Sequence, residues 1–260
     1  MNNQDKLGRI FFAAGLLAIA IQQLAWGDFM QVILPAGYPS WLTPRLVWDW
    51  IVSVALIAAC LCIIFDWMAR SVSLILAVAL LLLIIAFQIP GQSFPKMFAA
   101  WTNALKEFAY SGGALLVAGS FTPMNTKKPG GLIGFLEKLI PAGKCFFAVM
   151  LIAFGSMHFL YPAFVTPLVP NWIPWHLFWT YFAAVALIAG GLGIIFNIKR
   201  RLAANLTGIM IFLWLLVLHI PRAIADPYSG NGNELTSVFE ALSFSGIAFL
   251  IADKANRKEI

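Results

Sequence analysis

Polar positions along this chain fall in short clusters separated by long apolar stretches. Uncharged apolar runs cover roughly 10–26, 46–65, 71–89, 105–121, 145–161, 177–196, 202–220 and 237–252. Such runs match the length a helix needs to cross a hydrocarbon core of ~30 Å and are too long for barrel strands of ~10 residues. Backbone groups in lipid must bond within their own segment, so the pattern predicts an all-α integral membrane protein with eight transmembrane helices. The fourth and eighth runs are the weakest, each carrying a glutamate near its start, Glu107 and Glu240.

The pattern also repeats. VALIAACLCIIF at 54–65 returns as VALIAGGLGIIF at 185–196, an offset of 131 residues. At that offset 39–70 and 170–201 agree at 14 of 32 positions, among them Pro39/Pro170, Trp41/Trp172, Leu46/Leu177, Trp48/Trp179 and Arg70/Arg201. Gln88-Ile89-Pro90 stands opposite His219-Ile220-Pro221, Glu107 opposite Glu240, Gly113 opposite Gly246 and Gln23 opposite His158. A fixed period over this length marks an internal duplication. The chain divides into a first four-helix unit (1–121), a connector (122–143), a second unit (144–253) and a tail (254–260). Four helices per unit is an even number, so the copies are parallel, and the reading is two four-helix bundles related by a pseudo-twofold along the membrane normal. Helices 3 and 7 are expected to stop at their Ile-Pro pairs, since proline ends a helix.

Composition agrees with this picture and charge orients it. Only 11% of the 260 residues are charged, against about 25% in soluble domains, and mean hydropathy is +0.86. Thirteen of the 17 basic residues fall at the N-terminus, in the even-numbered loops or at the C-terminus; only Arg45, Lys96, Lys106 and Arg222 belong to the other side. That asymmetry predicts cytoplasmic termini in a bacterial-type inner membrane. It also accounts for the net charge of +6 through anionic lipid headgroups, with no soluble domain to gather it for nucleic acid. Cys60, Cys62 and Cys145 lack a C-x-x-C spacing and read as small packing residues.

On this map one layer of polar side chains lies at the outer ends of the helices. In the second unit it holds His158, His176, His219 and Glu240, with Arg222 beside them and Trp172 at the mouth. The first unit offers Gln23, Arg45, Asp49, Gln88 and Glu107 at matching places. Polar groups at membrane depth are costly and usually face a bundle interior or a water-filled cavity. Imidazole and a buried carboxyl can exchange protons with a quinone headgroup. The same groups also fit a plain role, hydrogen bonds that tie helix tops together. Histidines 18 and 43 residues apart, with no H-x-x-H or E-x-x-H pair, argue against a metal site.

The run from Gly155 to Phe196, with Gly155, His158-Phe159, Pro162, Val169-Pro170-Asn171-Trp172-Ile173-Pro174 and the glycine-rich Ala189–Gly193, resembles the DoxX family of membrane proteins, as does His219-Ile220-Pro221 after it. The resemblance covers 144–253, with 1–121 as a degraded copy. It implies a four-helix membrane unit, here in tandem, and a link to quinone and thiol redox systems. No flavin, haem or iron–sulfur motif accompanies it, so electrons would come from a partner protein. The expectation is a membrane component of a redox system that holds a quinone or similar lipid at the outer face of the second unit. The alternatives are a non-catalytic scaffold or chaperone for a partner protein and a small transporter.

Overall fold

The apolar runs form helices, and no strand occurs among the described residues, which are 3–35, 42–91, 98–121 and 131–256. The repeated Pro39 and Trp41, the basic Lys96, Lys127, Lys128, Arg257 and Lys258, and with them residues 122–130 of the connector and 257–260 of the tail, lie outside them. In this computed structural model the long helices are α1 (Asn3–Trp26), α2 (Arg45–Ile64), α3 (Ala69–Leu83), α4 (Thr102–Ala118), α5 (Gly143–Leu160), α6 (His176–Ile195), α7 (Arg200–Trp214) and α8 (Ser229–Asn256). Seven helical segments among the described residues are long and apolar enough to cross a membrane. The remaining long helix, α4, has 17 residues. A short helix, Gly131–Glu137, precedes α5.

Element bounds recur with the sequence period. The spans of α2 and α6, and of α3 and α7, are 131 residues apart at both ends. The turns between them repeat too, with left-handed residues at Asp66 (φ 58°) and Asn197 (φ 57°), then at Met68 (φ 47°) and Lys199 (φ 43°). Non-glycine residues seldom adopt this conformation, so two matched pairs are a specific agreement.

The Ile-Pro pairs do not end their helices. After α3 the chain widens into a π-turn, Ile84–Gln88, and continues helically through Ile89–Gly91; after α7 the same happens at Leu215–His219 and Ile220–Ala225. Proline lacks an N–H and its ring collides with the carbonyl four residues back. The π-turn absorbs both faults, because the N–H groups of Ile89 and Ile220 reach five residues back, to the Ile84 and Leu215 carbonyls. Gln88 and His219 thus each close a π-turn.

Packing interleaves the two halves. The most extensive contact is between α1 and α8, followed by α5 with α6, α7 with α8, α4 with α5, α1 with α2 and α3 with α4. The halves therefore meet along two long seams, α1–α8 and α4–α5, and are not set apart as two independent bundles. Glycine permits these approaches: a Cβ on Gly112 would stand 2.5 Å from the Gly143 carbonyl oxygen, and one on Gly246 would stand 2.6 Å from that of Gly8. Helix α4 is buried at every position from Ala109 to Ala118.

The outer segment after α1 turns inward. Phe29, Met30, Val32, Ile33 and Leu34 are buried, whereas Phe164, which stands opposite Phe29 in the repeat, is 73% exposed. Irregular backbone is tolerated at depth only when its polar groups are satisfied. Here Ile33 and Leu34 donate to the Met30 carbonyl (2.8 and 3.0 Å), and Phe29 donates to Asp28 Oδ1 (2.8 Å).

Candidate functional site

The π-turn after α7, the second turn of α4 and the middle of α8 bring together a cluster of ionisable groups that spans the two units. Lys106 Nζ lies 2.7 Å from Glu240 Oε2, with both side chains largely buried. His219 lies within electrostatic reach of the same ammonium, and its Nδ1 is buried without a hydrogen-bond partner. Tyr110, one turn along α4 from Lys106, is fully buried and faces Glu240 and Ser243. One turn past His219, Arg222 donates from Nε and Nη2 to the two carboxylate oxygens of Glu234, at 2.9 and 2.6 Å. Removing a buried pair from water is costly, so a close contact with matched charges is what makes Lys106–Glu240 tolerable.

Of the four expected residues, the structure therefore joins two. His158 donates from Nδ1 to the Phe154 carbonyl of its own helix (2.7 Å), an arrangement that leaves Nε2 as the acceptor. His176 opens α6 and lines an open surface cleft of ≈ 680 Å³ with Thr166, Asn171 and Tyr181. Trp172 projects outward, 70% exposed. Among the described residues no three His, Cys, Asp or Glu side chains converge as a metal ion requires.

Lys106 is the residue sequence reasoning misplaced. Counted with the outer loops, it lies instead inside α4 and turns into the protein. A lysine next to a glutamate inside an apolar run was the available signal, since neither can face lipid.

In the first unit the matching positions other than Arg45 are fully buried and do different work. Gln23 donates from Nε2 to Ser53 Oγ (2.8 Å) and accepts from the Met30 amide (3.2 Å); Gln88 donates to the Gln31 carbonyl (3.1 Å). Both glutamines thus hold the buried segment that follows α1. Asp49 faces Gln23 and Ser53 with no exposed surface, while Arg45 pairs with Asp28 near the surface. Glu107 is fully buried, and neither carboxyl oxygen has a hydrogen-bond partner.

Taken together, apolar helices of this length around a buried ion pair define a multi-pass membrane protein. Residues 147–238 match a domain of unknown function (DUF8561). The matched stretch takes in His158, His176, His219, Arg222 and Glu234 and ends two residues before Glu240. No curated protein and no solved structure matches the chain.

Proposed function

We propose that this chain is an eight-span protein of a bacterial-type inner membrane, with both termini cytoplasmic. In this reading it comprises two DoxX-like four-helix units related by a pseudo-twofold along the membrane normal. It serves as the membrane component of a redox system and holds the headgroup of a quinone or similar lipid where the outer ends of α4, α7 and α8 meet.

The observation that carries this reading is the buried Lys106–Glu240 pair beside an unpartnered His219 nitrogen. The donor set fits a carbonyl-bearing headgroup: the ammonium has two further N–H groups, and His219 Nδ1 can donate or accept. A quinone supplies two-electron, two-proton chemistry, its electrons coming from a partner protein. Lys106 would hold a headgroup oxygen, His219 would give or take a proton at Nδ1, and Glu240 would keep Lys106 charged. The cleft around His176, lined also by Asn171 and Tyr181, opens at the start of α6. The orientation is supported by the basic residues Arg9, Arg70, Lys144 and Arg200 at the end where α1, α3, α5 and α7 begin. There they meet Asp66, Glu137 and Asn197.

The scaffold alternative has its own support in the aromatic row at the outer end, where Phe164, Trp172, Trp175 and Tyr228 are each at least 70% exposed. Gentle solubilisation, lipid extraction and mass spectrometry separate the two. The redox reading expects a quinone that accompanies the wild type and is lost from H219A. A co-purifying protein retained by H219A, with no quinone in either sample, would leave the scaffold.

A further inference from the structure

The turn from α6 into α7 repeats the backbone of the turn from α2 into α3 but not its charges. In the first unit the left-handed Asp66 faces Arg9 of α1 at 3.5 Å, and Met68 and Ala69 after it are neutral. At the same offset the second unit has Asn197, Lys199 and Arg200. Lys144 of α5 stands in the place of Arg9, in the register that sets Phe146-Phe147-Ala148 against Phe11-Phe12-Ala13. A carboxylate has become an amide, and two neutral residues have become cations.

The side chains show the result. Lys144 Nζ and Arg200 Nη1 both donate to one oxygen, Asn197 Oδ1, at 2.6 and 2.7 Å. A neutral amide oxygen does not offset two positive charges, whereas the Asp66 carboxylate offsets the one beside it. Arg200 Nε finds no acceptor among the described residues. Lys199 and Arg200 also stand at the start of α7, where the helix dipole is positive and the first turn holds no acidic residue. One bound anion relieves all of these at once, and a guanidinium beside an ammonium suits phosphate oxygens.

The surroundings of the cations say which phosphate. Phe196, Ile198 and Leu202 beside them are largely exposed, on helical segments long and apolar enough to cross a membrane. A soluble phosphate uses none of that apolar surface. A phospholipid uses both parts, with its phosphate on the cations and its acyl chains along the apolar side chains.

We propose that Lys144, Lys199 and Arg200, gathered on Asn197, hold the headgroup phosphate of an anionic phospholipid at the α6–α7 turn, and that Asp66 denies the first unit the same site. The turn lies at the opposite end of α7 from His219, so the site stands or falls separately from the redox-lipid reading.

Native mass spectrometry of the full chain in detergent, titrated with phosphatidylglycerol or with phosphatidylcholine of the same acyl chains, tests this. The wild type is expected to hold phosphatidylglycerol in preference to phosphatidylcholine. N197D, which restores the carboxylate of the first turn, should weaken that binding about fivefold; K199M/R200A, which copies Met68 and Ala69, should weaken it about thirtyfold. K138M, which removes an exposed cation outside the turn, should leave it unchanged. Equal binding of the two lipids, or binding undiminished in N197D and K199M/R200A, would overturn the proposal. So would equal weakening by K138M, because the effect would then be one of overall charge. Displacement of the lipid by inorganic phosphate at constant ionic strength would also overturn it, since a soluble anion would be the occupant. Should one of the two turn variants fail to fold, the other decides.

Discussion

Lys106 and Glu240 are buried against each other at 2.7 Å, which makes their removal strongly asymmetric. Deleting one partner of a buried pair strands a charge and costs about 3–5 kcal/mol, whereas replacing both with apolar groups of similar size is often neutral or better. E240L and K106M are therefore each expected to lower stability by about that amount, and K106M/E240L is expected to recover most of the loss. Denaturation of the four proteins in one detergent, followed by tryptophan fluorescence, checks this. Additive losses would mean that the two side chains do not sense each other. Glu107 should behave otherwise: neither of its oxygens has a hydrogen-bond partner and it faces no ammonium among the described residues, so E107Q strands no charge and its stability should stay within about 1 kcal/mol of wild type. The contrast with Gln23 and Gln88 is instructive. Glutamine in the first unit looks like a lost histidine when the copies are aligned, yet there the amides anchor the buried Phe29–Leu34 segment. In the second unit the matching segment lies outside. His158 turns back on its own helix and His219 Nδ1 is left free.

At the scale of elements, the two runs that read as the weakest membrane helices, α4 and α8, carry much of the interior. Lipid selects for apolar side chains on the outside, so a helix rich in Gly, Ala and Ser with an embedded glutamate belongs within the protein. The hydrophobic pattern made the helices, the duplication and the α2/α6 register readable, because each depends on residues near in sequence. It left unreadable which helix lies against which, the inward turn of Lys106, and the π-turns that let two prolines sit inside helices. Those depend on partners 40 or more residues away or on backbone adjustments with no compositional mark. The glycines at the seams carry a prediction of their own. In G112A the new methyl would stand 2.5 Å from the Gly143 carbonyl oxygen and 2.6 Å from Phe146 Cβ. Neither neighbour is a flexible chain end, so α4 and α5 must separate, at about 1–3 kcal/mol. G246A, which meets the Gly8 carbonyl oxygen, should cost a similar amount at the α1–α8 seam. Thermal melts in detergent measure both, and unchanged midpoints would mean the seams are looser than drawn.

For the whole molecule, the interleaved packing makes the two copies mutually dependent. α1 finds its largest partner in α8, and α4 continues directly into contact with α5. A chain built as two independent bundles would come apart when its connector is cut; this one should not. Co-expression of residues 1–126 with tagged 127–260 should return both fragments from an affinity column in detergent, held by two apolar seams without a covalent link. G112A/G246A introduced into the same fragments should sharply reduce recovery of the untagged partner, because each methyl falls on one of the seams. Recovery of the tagged fragment alone from the unmodified pair would show that the halves are separable and that the α1–α8 contact does not hold the protein together. Efficient recovery despite both alanines would place the adhesion elsewhere, with the Gln4–Asn205 bond (2.6 Å) and the Gln22–Thr236 bond (3.0 Å) across the α1–α7 and α1–α8 contacts as the next groups to remove.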